Sequence, residues 1–230
     1  MSQFYHIFGE CPIYNAFTNF TENFMEILYE NKEIVVCIKP SGLPSQEEKG
    51  DNMITRLKEQ TKASKIYPVH RLDTVTSGVM VYCKTKKAAA FLTKEITENR
   101  FHKEYLALVH GTPTPSEGIM EDLLFKDSKK NKSFVVKRER KGVKKASLEY
   151  KVLETKGELS LVKIKLHTGR THQIRVQFSS RRHPVYGDGK YGASDNIPFI
   201  ALFSSSLTFK EPESGKDMTF SAPLPDWNFF

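Results

Sequence analysis

Residues 67–84 read Tyr67-Pro68-Val69-His70-Arg71-Leu72-Asp73-Thr74-Val75-Thr76-Ser77-Gly78-Val79-Met80-Val81-Tyr82-Cys83-Lys84. Pro68 disfavours helix in the residue before it and opens an extended run. Thr74, Thr76, Ser77 and Gly78 make a polar, turn-prone patch ahead of the apolar, strand-like Val79-Met80-Val81-Tyr82. Arg71 and Asp73 therefore sit where an irregular connection meets regular structure, a place that commonly presents functional side chains. On these residues alone a plain surface turn is the stronger reading.

Three further segments decide between the two. Lys39-Pro40-Ser41-Gly42 lies upstream; Lys103-Glu104-Tyr105-Leu106-Ala107-Leu108-Val109-His110-Gly111 and Gly169-Arg170-Thr171-His172-Gln173-Ile174-Arg175 lie downstream. Together with His70-Arg71-Leu72-Asp73-x-x-Thr76-Ser77-Gly78, and in this order, they resemble the signatures of the RluA-type pseudouridine synthases. The resemblance runs from about Met25 to Trp227. It implies an isomerase that breaks the base–sugar bond of a uridine in RNA, turns the base and rejoins it through carbon. No atoms are gained, so neither a redox cofactor nor a metal is called for. The chemistry needs an ionised carboxylate near the sugar, a pocket that excludes water, and extraction of the base from its stack.

The resemblance also implies roles. Asp73 is the essential carboxylate, attacking the substrate or removing a sugar proton. Arg175 supplies the positive charge that keeps a buried acid ionised against the pull of desolvation. Tyr105 packs on the uracil, Leu202 lies under the base, and Arg71 fills the gap left by the flipped base or contacts phosphate. His70 orients the turn. From spacing alone, Tyr105 reads as an ordinary half-buried sheet aromatic, and Leu202 as a core residue.

Bulk properties fit an RNA partner. The chain has 230 residues, 39% hydrophobic and 27% charged, in the normal range of a soluble globular protein with a real core. Its net charge of +8 is local: residues 126–145 hold ten basic and two acidic side chains, while the remainder carries 25 of each. Concentrated positive charge suits a polyanion, because each neutralised phosphate releases counterions. Lys129, Lys130, Lys132, Lys137, Arg138 and Arg140 are the candidate RNA contacts, with Phe134-Val135-Val136 as a strand among them. The competing reading of such a run is a solvated hairpin.

No apolar run approaches the ~20 residues of a membrane span, and the N-terminus lacks a signal-peptide pattern. Cys11, Cys37 and Cys83 are odd in number and unpaired in spacing, and the seven histidines are scattered, so neither a disulfide framework nor a metal site is expected. Free thiols and the absence of a span point to a cytoplasmic protein. A monomer with no obligate protein partner is the default.

Along the chain, residues 1–24 show little periodicity and are expected to form an extension packed on a catalytic domain of residues 25–230. Residues 33–38 read as a buried strand stopped by the Lys39–Gly42 turn. Asp51 or Asn52 can cap a helix through Lys58, and Thr85 can cap one through Ile96. Strands are expected over residues 103–109, 146–153 and 159–166, with a short helix over 171–178. The glycine-rich loop 186–192 lacks P-loop or dinucleotide-binding spacing. Short strands follow at 200–203, 207–209 and 218–220, then a closing segment at 222–227. Many strands with few helices give an α+β fold with a mostly antiparallel sheet. The resemblance narrows this to the pseudouridine synthase fold, a long mixed sheet with flanking helices and a central active-site cleft.

Rival chemistries fit less well. A glycosidase needs two carboxylates flanking the bond, and one is flagged. The kinase His-Arg-Asp triplet is interrupted by Leu72, with no Asp-Phe-Gly after it. A catalytically inactive RNA-binding module of the same fold is the serious alternative, although it has no need of Asp73, Tyr105 and Arg175 together.

Overall fold

The computed structural model describes residues 25–227. The expected extension over residues 1–24, with Cys11, lies outside them. In chain order the first elements are β1 (Ile27–Glu30), β2 (Ile34–Lys39), α1 (Met53–Thr61), β3 (Tyr67–Pro68), β4 (Ser77–Cys83), α2 (Lys86–Thr97) and β5 (His102–His110). Then come β6 (Glu117–Asp127), β7 (Lys132–Val136), β8 (Val143–Lys156), β9 (Leu159–Leu166), α3 (Gln173–Ser180), β10 (Leu202–Lys210) and β11 (Asp217–Ser221). They gather into two compact units. One holds the described residues up to Lys103 together with those from Ser204 onward; the other holds Glu104–Phe203.

In the first unit the strands run β1, β2, β4, β10, with β11 on β10 and β3 on β4. β2 and β4 are antiparallel, from Ile34 opposite Cys83 to Lys39 opposite Gly78. Both are apolar almost throughout because both are buried on two faces. Ile34, Val36, Val79 and Val81 pack with Ala88 and Leu92 of α2 and with Leu207, Phe209 and Phe220 of the last strands. Both helix starts follow the capping chemistry. Asn52 Oδ1 accepts from Thr55 N at 3.0 Å, and Thr85 Oγ1 accepts from Ala88 N at 3.1 Å. Gly78 has φ +120°, and a β-carbon there would meet the Ser204 carbonyl oxygen at 2.3 Å, so only glycine fits.

β10 differs from the two short strands expected at 200–203 and 207–209. It is one nine-residue strand that runs through Ser204-Ser205-Ser206. Serines suggest a break, but Ser204 is buried and its hydroxyl donates to Val79 O at 3.1 Å. Cys37 and Cys83 are free and buried, and burial raises both thiols, Cys83 to about 12.

In the second unit the order is β5, β9, β8, β6, β7. β6–β7 and β8–β9 are antiparallel hairpins, and β6 is antiparallel to β8. β6 has no counterpart in the sequence expectations. α3 lies against β6 and β7, where Val176 packs with Leu124, Val135, Ala146 and Tyr191. No helix among the described residues is long and apolar enough to cross a membrane.

Candidate active site

In the first unit the connection between β3 and β4 carries His70, Arg71 and Asp73. Its backbone is gripped by the turn after β2. Gly42 N donates to Thr74 O at 2.8 Å, and Lys39 Nζ donates to the same oxygen at 3.0 Å. Ser41 Oγ donates to Val75 O at 2.9 Å and Ser45 Oγ to Leu72 O at 2.7 Å. Within the loop, Thr76 N closes on Asp73 O at 2.9 Å. The loop is thus fixed by its carbonyls. Leu72 is its buried anchor, Asp73 is half-buried, and Arg71 is exposed.

The sequence reading treated Lys39 only as part of a bend. It is fully buried, and Nζ also donates to Pro40 O at 2.7 Å. Burial pushes its pKa down from 10.5 to about 7, while the charge of Asp73 opposes the shift. His70 is neutral: burial, and secondarily Lys103, lower its pKa to about 3. Its Nε2 accepts from Val81 N at 3.1 Å, which puts the proton on Nδ1. The ring lies 5.4 Å from that of Phe101. The His70 ring thus ties this connection to β4.

In the second unit Tyr105 on β5, Arg175 on α3 and Leu202 are all buried. Arg175 is held by Asp188, which sequence reasoning passed over. Nε and Nη2 donate to its two carboxylate oxygens at 2.6 and 2.8 Å, a bidentate pair enclosed on both sides. The Arg175 guanidinium also lies 5.1 Å from the Tyr191 ring centre. Tyr191 is fixed in turn, its hydroxyl accepting from Ser133 N at 2.8 Å and lying 2.9 Å from His172 Nδ1.

Asp188 belongs to the glycine-rich loop, which is built against β5. Tyr186 N donates to Leu108 O and Ala201 N to Tyr186 O, both at 2.9 Å. His110 Nε2 and Gly187 N both reach Asp195 Oδ2, at 2.8 and 2.7 Å. A β-carbon at Gly187 would strike Phe199 O at 2.0 Å. A carboxylate flanked by glycines, thirteen residues after a helical arginine, was the available signal.

Of the basic candidates, Lys129, Lys130, Lys137, Arg138 and Arg140 are exposed around the β6–β7 and β7–β8 connections. Lys132 is half-buried, its ammonium donating to Lys190 O and lying 4.9 Å from the Tyr191 ring centre.

Comparison with known proteins identifies the family. The profile of the RNA pseudouridylate synthase family matches residues 33–180. The chain belongs to that family. Over 210 residues it is 36% identical to the dual-specificity RNA pseudouridine synthase RluA of Escherichia coli, covering 88% of this chain and 94% of that protein. It is 33% identical to the ribosomal large subunit pseudouridine synthase C of Buchnera aphidicola, across 93% of this chain and 73% of the relative. The solved human RNA pseudouridylate synthase domain-containing protein 4 superposes with a TM-score of 0.73 at 25% identity, covering 87% of this chain and 89% of that one. The chain is an isomerase with the α+β fold of the pseudouridine synthases, and its reaction is the isomerisation of uridine in RNA.

Proposed function

We propose that this enzyme isomerises particular uridines in structured ribosomal or transfer RNA, with Asp73 as the essential carboxylate. The observation that carries this reading is the grip on the Asp73 loop. Four donors from residues 39–45 hold the carbonyls of Leu72, Thr74 and Val75, while the side chain of Asp73 stays partly accessible. A carboxylate on a rigid backbone can be aligned with a sugar without ordering cost at the moment of reaction. The resemblance supports Tyr105 packing on the uracil, Leu202 beneath it, Arg175 as the cation of the site, and Arg71 beside the vacated stack. The Asp188 pair supports the assignment of Arg175, because a guanidinium held on one edge is oriented before substrate arrives.

The exposed lysines and arginines of residues 129–140 dock the phosphates of the folded RNA. The relatives' names, one a dual-specificity RNA synthase and one a ribosomal large subunit synthase, support ribosomal RNA among the targets. The enzyme works in the cytoplasm as a monomer and needs no protein partner.

The test is to map pseudouridines in total RNA from cells lacking the gene, complemented with wild type or with Asp73→Asn. Wild type restores the lost positions; Asp73→Asn restores none while binding RNA nearly as well. Turnover by Asp73→Asn would remove the carboxylate from its role. No lost position at all would leave an RNA-binding module without chemistry.

A further inference from the structure

β7, β6 and β8 are neighbouring strands at one end of the second unit's sheet, and their two faces differ in kind. Side chains alternate along each strand, and partners across an antiparallel pair share a face. Leu124, Val135 and Ala146 point to the helix side, where they pack with Val176 and Tyr191. The opposite face carries Leu123, Phe125, Phe134, Val136 and Val143. Its members are cross-strand neighbours: Phe125 lies opposite Phe134 on one side and Val143 on the other, and Leu123 lies opposite Val136. On this face Phe134 is 36% exposed, a large aromatic left open on a strand.

The border of this apolar patch is cationic. The Arg140 guanidinium sits 4.7 Å from the Phe125 ring centre, and the Lys132 ammonium lies 5.9 Å from that of Phe134. Lys145 is exposed opposite Leu123, while Lys129, Lys130 and Lys137 flank the two connections. Of the nearby acids, Asp127 Oδ1 accepts from Lys130 N, and Glu139 lies 3.7 Å from Lys145. Phe125 is already covered by Arg140, so the ring open to a visitor is that of Phe134.

We infer that this outer face is a nucleic-acid platform, with Phe134 stacking on an unpaired base of the RNA and the surrounding lysines and arginines taking the adjoining phosphates. Charge complementarity selects the occupant. An apolar protein segment gains nothing from a ring of cations, whereas a single strand presents flat bases and phosphates together. The inference rests on the RNA substrate proposed above, but its test reads binding, so it stands or falls separately from the role of Asp73.

The probes are a single-stranded oligouridylate and a fully paired RNA duplex of equal length, titrated by fluorescence anisotropy at several salt concentrations. Stacking is worth ~1–3 kcal/mol per base. Phe134→Ala is therefore expected to raise Kd for the single strand by roughly five-fold or more, to leave duplex binding unchanged, and to preserve the salt slope. Phe134→Tyr keeps the ring and restores affinity. Phe134→Leu keeps apolar cover on the sheet without an aromatic face, so it guards against misfolding and should bind like Phe134→Ala. Wild-type affinity in Phe134→Leu, equal losses on both probes, or no loss on the single strand would overturn the proposal. The Leu result would make the face a general apolar contact, of the kind a protein partner uses.

Discussion

Lys39→Met tests the buried ammonium directly. Lys39 has no exposed surface, and its hydrogen-bond acceptors, Pro40 O and Thr74 O, match the two N–H groups of a neutral amine. In the unfolded chain the group holds its proton up to the ordinary 10.5; in the folded protein burial releases it near 7. Between those values the unfolded state binds more protons, so stability rises with pH across the window. Below about pH 7 both states are protonated, and the folded state carries the full cost of the buried charge. At ~1.4 kcal/mol per pKa unit the whole window is worth about 5 kcal/mol, and about 2 kcal/mol of it falls between pH 7 and pH 9. That narrower interval ends below the titration of the raised Cys83 thiol.

The assay is urea unfolding of wild type and Lys39→Met at both pH values. Other groups titrate alike in the two proteins, so they cancel in the difference between the pH effects. Wild type should gain about 2 kcal/mol more than the variant on going from pH 7 to pH 9. The variant loses two hydrogen bonds at either pH, which shifts its curve without tilting it. Parallel pH dependences would refute the reasoning, by showing that Lys39 keeps its proton in the folded state.

Two other perturbations probe the second unit. Asp188→Asn weakens a buried bidentate pair with Arg175 and should destabilise the fold by about 3–5 kcal/mol, seen as a lower urea midpoint; a midpoint near wild type would mean that this pair contributes little to the fold. Replacing Lys129, Lys130 and Lys137 with Gln should weaken RNA binding and flatten its salt dependence by up to about one phosphate contact per lysine. An unchanged slope in the binding isotherms would mark the run as a solvated face.

What the sequence made legible follows from how local each signal is. Caps at Asn52 and Thr85, the strand at Val79–Tyr82 and the β8–β9 hairpin depend on neighbours a few residues away, and they formed as expected. Asp73, Tyr105 and Arg175 are candidates through ordered motifs rather than through periodicity. β6 escaped because Glu117, Glu121, Asp122, Lys126 and Asp127 blur its alternation; pairing with β7 on one edge and β8 on the other makes it a strand. The continuity of β10 was hidden by three serines, the first of which is satisfied by a carbonyl of β4. Lys39 reads as the first residue of a turn, whereas it closes β2 and is buried by a loop that arrives some thirty residues later. Asp188 looked like loop filler for the same reason: its partner lies on a helix already passed.

The clasp around Asp73 has an evolutionary corollary. What residues 39–45 grasp are main-chain oxygens, and every amino acid brings one. The exposed side chains of Thr74 and Val75 can therefore drift without disturbing the geometry of their neighbour. A lineage could retune how this rim meets a new RNA while the reactive carboxylate stays where it is.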